Sequence, residues 1–150
     1  MSELRLGNQL PSITLKNQDG EIVNIATESK AKVVYFYPKD DTPGCTLEAC
    51  SFRDQFSAFE DVGALVFGIS RDSVASHKKF ANKNRLNFQL LSDPKGEAEK
   101  AFKVSRNLFG LIPGRVTFIF NAKGELIHKF NSAMMATKHV KEALAALKST

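Results

Sequence analysis

The sequence predicts an α/β fold: a central mixed β-sheet flanked by helices and preceded by an N-terminal β-hairpin. Three observations carry this expectation. Short β-branched runs alternate with segments of helical period, which favours a sheet that is partly parallel. Two of those runs lack polar alternation, as strands covered on both faces do. Two further strand pairs each flank a turn ending in glycine. Length agrees, since 150 residues form one compact domain, 1–150, that buries a core without crosslinks or metals.

The elements follow in order. Ser12 to Lys16 and Glu21 to Ile25 flank Asn17-Gln18-Asp19-Gly20 and form the hairpin. Lys32 to Tyr37 is the central strand, ended by Pro38. A helix is expected from Pro43, capped by Thr42, to about Phe59. Its apolar positions Cys45, Ala49, Phe52, Phe56 and Phe59 share one stripe, so Cys45 faces inward. Ala64 to Ser70 is a second buried strand, followed by a helix over Ser73 to Lys83 and a short strand at Leu90-Leu91. Asp93 as cap and Pro94 in the first turn predict a short helix over Lys95 to Phe102. The loop from Lys103 to Gly114 is long enough to suggest a functional role. Arg115 to Phe120 and Glu125 to Phe130 form a second hairpin around Asn121 to Gly124. A last helix follows Thr137 and buries Val140, Leu144 and Leu147.

Composition excludes several function classes. Apolar residues at 43% and charged residues at 25% argue against extended disorder. The net charge of +5 is spread among acids without a basic run, which points away from nucleic acid. The longest apolar run, Ala64 to Ile69, is far too short to span a bilayer. Met1 to Arg5 lacks the features of a secretory signal, so the chain is expected in the cytoplasm, or as a trimmed mature form. Two cysteines are too few for a disulfide scaffold, and a pair in a reducing compartment is more often reactive than structural.

Cys45 is the candidate nucleophile. A free thiol has a pKa near 8.5 and needs help to be thiolate at neutral pH. The first turn of a helix favours an anion, and Arg115, at the start of a distant strand, is the candidate for a permanent charge beside it.

The segment Pro38-Lys39-Asp40-Asp41-Thr42-Pro43-Gly44-Cys45 reproduces the Pro-x-x-x-Thr-x-x-Cys signature and resembles the peroxiredoxins. Gly44-Cys45-Thr46-x-Glu48-x-Cys50 and Arg115-Val116-Thr117-Phe118 extend the resemblance to the bacterioferritin-comigratory, or Q-type, subfamily, over roughly Leu6 to Leu147. The resemblance implies a thioredoxin-like fold, a monomer, no cofactor, a hydroperoxide substrate, and thioredoxin or a similar dithiol as reductant. It implies Cys45 as peroxidatic thiolate, Cys50 as resolving thiol, Thr42 and Arg115 as orienters of the peroxide, Pro38 as shield, and Glu48 as the group that positions Arg115. A fixed arginine donor suits the charge that attack delivers to the leaving oxygen. The stretch Leu111 to Arg115 is similar to plastid and cyanobacterial versions, which makes a plastid stroma or lumen the alternative compartment.

Cys50 lies five residues after Cys45 in the same helix, which separates their Cα atoms by about 8.7 Å. A disulfide tolerates at most about 7 Å. Oxidation is therefore expected to unwind the Thr42 to Phe52 segment. Two rivals stand beside the peroxidase. A general dithiol oxidoreductase is opposed by the Cys-x4-Cys spacing and by Val116 before Thr117, and a noncatalytic binding or holdase module has no positive feature. Zinc lacks ligands, because His77, His128 and His139 fall on separate elements and read as surface residues. Met134-Met135 reads as loop packing.

Overall fold

A computed structural model describes residues 4–104, 106–107, 112–113, 115–131 and 136–149. The chain runs β1 (Thr14–Asn17), β2 (Ile22–Asn24), β3 (Ala31–Phe36), α1 (Pro43–Asp54), α2 (Phe56–Asp61), β4 (Ala64–Ser70), α3 (Val74–Asn84) and β5 (Gln89–Ser92). It continues through α4 (Glu97–Ala101), β6 (Arg106–Asn107), β7 (Ile112–Pro113), β8 (Val116–Phe120), β9 (Leu126–Asn131) and α5 (Ala136–Lys148).

Seven strands form one sheet in the order β2-β1-β5-β4-β3-β8-β9. The pairs β3/β4 and β4/β5 are parallel, while β1/β5, β3/β8 and both hairpins are antiparallel. The mixed sheet expected from the sequence is thus present, and β3 lies between a parallel and an antiparallel neighbour. Gly20 and Gly124 close the two hairpins with φ of 80° and 81°, a region where a side chain is strained.

Period-two alternation along β3 divides the core. Val33, Tyr35 and Tyr37 face one side and join Cys45, Phe52 and Phe59 of α1 and α2, Phe80 of α3, and Val140 and Leu147 of α5. Val34 and Phe36 face the other and join Phe67, Ile69, Phe102 and Phe118. Tyr35 stacks on Phe52 with centroids 4.6 Å apart and planes at 17°. Burying a phenylalanine of this kind stabilises the fold by about 2 kcal/mol, and the stacking adds about 1 kcal/mol.

Several expectations need correction. The helix from Pro43 does not run unbroken to Phe59: Gln55, at φ −100° and ψ 11°, separates α1 from α2. The stripe survives the break, with Phe56 only half-buried and the other four members buried. Thr42 occupies the N-cap position before Pro43, but its hydroxyl makes no cap bond. The helix after Asp93 begins at Glu97 and not at Lys95, because Gly96 takes φ 71° first. Asp93 still caps it from farther out, accepting from the backbone N–H of Ala98 and Glu99 at 3.1 Å. On α5, Val140 and Leu147 are buried and Leu144 is half-buried. Met134 and Met135 lie outside the described residues, and so does the long loop except for Lys103, Val104 and the short β6/β7 pairing. Among the described residues, no helix is long and apolar enough to cross a membrane.

The histidine reading fails at two of three positions. His77 and His139 are both 0% exposed. Histidine is intermediate in burial preference, and neither position carries a sequence signal of a buried partner. Only His128, which pairs with Glu142 at 3.0 Å, is partly exposed.

Candidate active site

The site begins where β3 ends. Tyr37 extends the strand, donating its N–H to Ile69 O at 3.1 Å, and half-buried Pro38 then stops it. The loop to α1 is anchored from below by Asp40. Its N–H donates to Asp72 Oδ2 at 2.9 Å, and its Oδ1 accepts from the Tyr37 hydroxyl at 2.6 Å. Its Oδ2 accepts from Ser76 at 2.8 Å and lies 2.7 Å from His77 Nδ1. His77 Nε2 lies 3.1 Å from the Leu91 carbonyl, so both ring nitrogens face acceptors. Burial alone raises the Asp40 pKa, but the bonds from His77, Tyr37 and Ser76 outweigh it and hold the carboxyl below its ordinary value. Asp41 then takes φ 63°, which short polar side chains tolerate.

Thr42 has extended geometry, φ −85° and ψ 150°, and its carbonyl accepts the first helical bond from Thr46 N–H at 2.9 Å. The Thr42 hydroxyl donates to Lys39 O at 2.9 Å. Pro43 supplies the fixed φ of the first turn. Cys45 follows in that turn and is 1% exposed.

Arg115 reaches Cys45 because of sheet register. β8 runs antiparallel to β3 with Phe36 opposite Val116, so the residue before β8 lies beside the point where β3 hands over to the loop. Arg115 Nη2 donates to Cys45 Sγ at 3.3 Å, and Nη1 donates to Glu48 Oε1 at 2.6 Å. Glu48 is one turn after Cys45 on the same face and is fully buried. Burial lifts its pKa to about 8 against the opposing pull of the guanidinium. Burial also lowers the Arg115 pKa, but Glu48 and Cys45 more than offset this and raise it. Gly44 lines the guanidinium: a Cβ there would stand 3.0 Å from Nη2.

Behind Glu48 lies His139 of α5. Its Nδ1 is 2.7 Å from Thr117 Oγ1 and 3.6 Å from Glu48 Oε2, and its ring meets Phe130 edge-on at 4.7 Å. Cys50 is half-buried between α1 and α3, with its Sγ 3.7 Å from Asn84 Oδ1. Arg53 Nη1 donates to Asn84 O at 2.7 Å on the same seam. Both cysteines are free thiols, and α1 runs intact through both.

Of the six residues singled out from the sequence, Cys45, Glu48 and Arg115 are in direct contact. Thr42 and Pro38 belong to the loop that leads into them, and Cys50 sits apart against α3. Gly44, His139 and the Tyr37-Asp40-His77 network escaped the sequence reading. Gly44 was visible only as part of a motif, and the histidines had no periodic or spacing signal. Among the described residues, one group has metal-like clustering, Asp40, Asp72 and His77, with ligand atoms within 4.8 Å. It contains neither cysteine, and its ligand atoms already hydrogen-bond within the protein.

A thiol at a helix start, touched by a buried arginine above a thioredoxin-like mixed sheet, is the arrangement of a thiol-dependent peroxidase of the peroxiredoxin class. The chain belongs to the AhpC/TSA family, whose model matches residues 6–129. It is 44% identical over 149 residues to chloroplastic peroxiredoxin Q of Populus jackii, covering 99% of this chain and 70% of that one. Chloroplastic peroxiredoxin Q of Gentiana triflora is 46% identical, over 95% of this chain and 66% of its own length. The crystal structure of peroxidoxin BcpB from Mycobacterium tuberculosis superposes with a TM-score of 0.91 at 34% identity, covering 98% of both chains. The bacterioferritin comigratory protein of Xanthomonas campestris gives a TM-score of 0.81 at 30% identity, over 95% of this chain and 98% of that one.

Proposed function

We propose that Cys45 is the peroxidatic nucleophile of this peroxidase and Cys50 its resolving thiol. The carrying observation is the Arg115 fork, with Nη2 at 3.3 Å from Cys45 Sγ and Nη1 at 2.6 Å from Glu48 Oε1. A guanidinium fixed at one end presents its other donors to the sulfur and to the oxygen that leaves it. In the first step the Cys45 thiolate attacks one peroxide oxygen and the O–O bond breaks. Cys45 becomes a sulfenic acid, and the other oxygen leaves as alkoxide or hydroxide and takes up a proton. Thr42 commits its own proton to Lys39 O, which leaves its oxygen to accept from the peroxide. Pro38 walls the site without an N–H of its own.

In the second step the Cys50 sulfur attacks the Cys45 sulfenic acid, a disulfide forms and water leaves. An external dithiol, thioredoxin or a similar protein, then takes the oxidising equivalents. The monomer is the proposed working unit, and the cytoplasm its compartment, with the plastid of its plant relatives as the alternative. Hydrogen peroxide and organic hydroperoxides are both proposed substrates, and the Xanthomonas campestris protein has alkyl peroxide reduction activity. The test is a stopped-flow peroxide titration of the reduced protein, with mass spectrometry of the product. One equivalent consumed and one internal Cys45–Cys50 disulfide supports the assignment. Undiminished peroxide consumption by Cys45→Ser rejects it.

A further inference from the structure

We infer that Glu48 Oε2 and His139 Nδ1 hold one proton between them, and that this makes His139 a positioning residue that leaves the charge of Arg115 available to Cys45. The inference rests on the reading of Cys45 as the nucleophile. Glu48 Oε1 is bonded to Arg115, but Oε2 is buried and has no hydrogen-bond partner among the described residues. A bare carboxylate oxygen in that setting carries a large desolvation cost, which a proton removes. Among the described residues, the basic atom that faces it is His139 Nδ1 at 3.6 Å, also buried and approached by the Thr117 hydroxyl at 2.7 Å.

Two placements of the proton are equivalent in charge. With the proton on Oε2, Glu48 and His139 are both neutral. With it on Nδ1, a carboxylate faces an imidazolium. In either case the pair sums to zero, and Arg115 remains the net charge beside the sulfur. Without the proton, the carboxylate cancels Arg115 and adds a negative group on the same helix face as Cys45. Among the described residues, the other polar groups facing the pair do not perform this task. Thr117 is an alcohol, and Tyr35 is a phenol whose pKa burial raises well above the ordinary value. The Lys138 ammonium lies 6.0 Å from the Phe130 ring centroid, on the ring that meets His139 edge-on. The lifted pKa of Glu48, about 8, agrees with a proton held through neutrality.

The experiment is a pH titration of the reduced protein by infrared difference spectroscopy of carboxyl and imidazole bands, beside the second-order rate of its reaction with hydrogen peroxide. The expected result is one buried deprotonation step near pH 8, with the rate falling along the same curve. His139→Asn keeps an amide donor near Nδ1 but offers the proton no base, so the step moves down by about one unit. At pH 8 that takes the protonated fraction from about a half to about a tenth, a rate loss of about fivefold. Glu48→Gln removes the step altogether, and His128→Asn, away from the pair, leaves it in place. A step that persists in Glu48→Gln, or that His139→Asn does not move, overturns the inference even if Cys45→Ser abolishes turnover. Peroxide consumption that survives Cys45→Ser overturns the reading beneath it, whatever the infrared bands show.

Discussion

Gly44→Ala separates stability from reactivity. An added Cβ would lie 3.0 Å from Arg115 Nη2 and 3.8 Å from its Cζ, where ordinary contact is about 3.5 Å. The guanidinium must therefore give by about 0.5 Å. It is tethered by the 2.6 Å bond to Glu48, so the longer 3.3 Å bond to Cys45 Sγ is the one that yields. A hydrogen bond to a charged group is worth about 1.5–3 kcal/mol. Losing about 1.4 kcal/mol of it in the transition state lowers the peroxide rate constant about tenfold. The same substitution removes a glycine from a helical turn, which stabilises by about 0.5–1 kcal/mol and offsets the strain at Arg115. Thermal unfolding of Gly44→Ala is thus expected within about 3 °C of the parent. Stopped-flow peroxide kinetics on the same samples shows the tenfold loss. An unchanged rate would refute the claim that the Arg115 fork matters at this resolution of distance. A fall in stability of more than about 2 kcal/mol would show that Cβ strain spreads through α1 and not through the guanidinium alone.

Three further outcomes are expected. Forming the Cys45–Cys50 disulfide abolishes amide-exchange protection over Thr46 to Phe52, because an intact helix holds the two Cα atoms about 8.7 Å apart; full protection in the oxidised protein contradicts this. His77→Leu strands the buried Asp40 carboxylate and costs about 3 kcal/mol in urea unfolding, whereas a loss below about 1 kcal/mol means that Tyr37 and Ser76 suffice. Glu48 and Asp40 tilt the pH profile of stability in opposite directions. The folded Glu48 pKa, about 8, lies above its ordinary 4.5, so the native state keeps a proton that the unfolded chain releases. Its contribution is greatest below pH 4.5 and is lost as pH rises to about 8, at no more than about 1.4 kcal/mol per pH unit. The folded Asp40 pKa lies below 3.8, so its contribution holds above that pH and fades as pH falls further. Denaturant melts of Glu48→Gln show whether the neutral-range slope disappears.

Much of the architecture was legible in one dimension because it rests on local periodicity. The uninterrupted run of β3 requires cover on both faces, and the structure supplies it with two core clusters. The four-three spacing of Cys45, Ala49, Phe52 and Phe59 places them on one face, wherever that face docks. Errors gathered where a neighbour distant in sequence decides the outcome. Gln55 breaks the helix and α2 packs on β4, whereas the delay of α4 has a local cause, the left-handed turn at Gly96 that no apolar pattern announces.

By itself the sequence determined the alternation of strands and helices, the inward stripe of α1, the glycine turns, and the motif that marks Cys45. The motif resemblance had already named Arg115 and Glu48, but only the tertiary structure brings Arg115 to the sulfur and Glu48 to Arg115. Arg115 stands 70 positions from Cys45 and arrives only through the β3/β8 register. His139 and His77 became interior groups because α5 and α3 close over α1 and the loop. Periodicity reports which face of an element is apolar, whereas a contact between charged side chains depends on how separate elements are placed. That placement is set by the packing of the whole core and is not written at any one position of the chain.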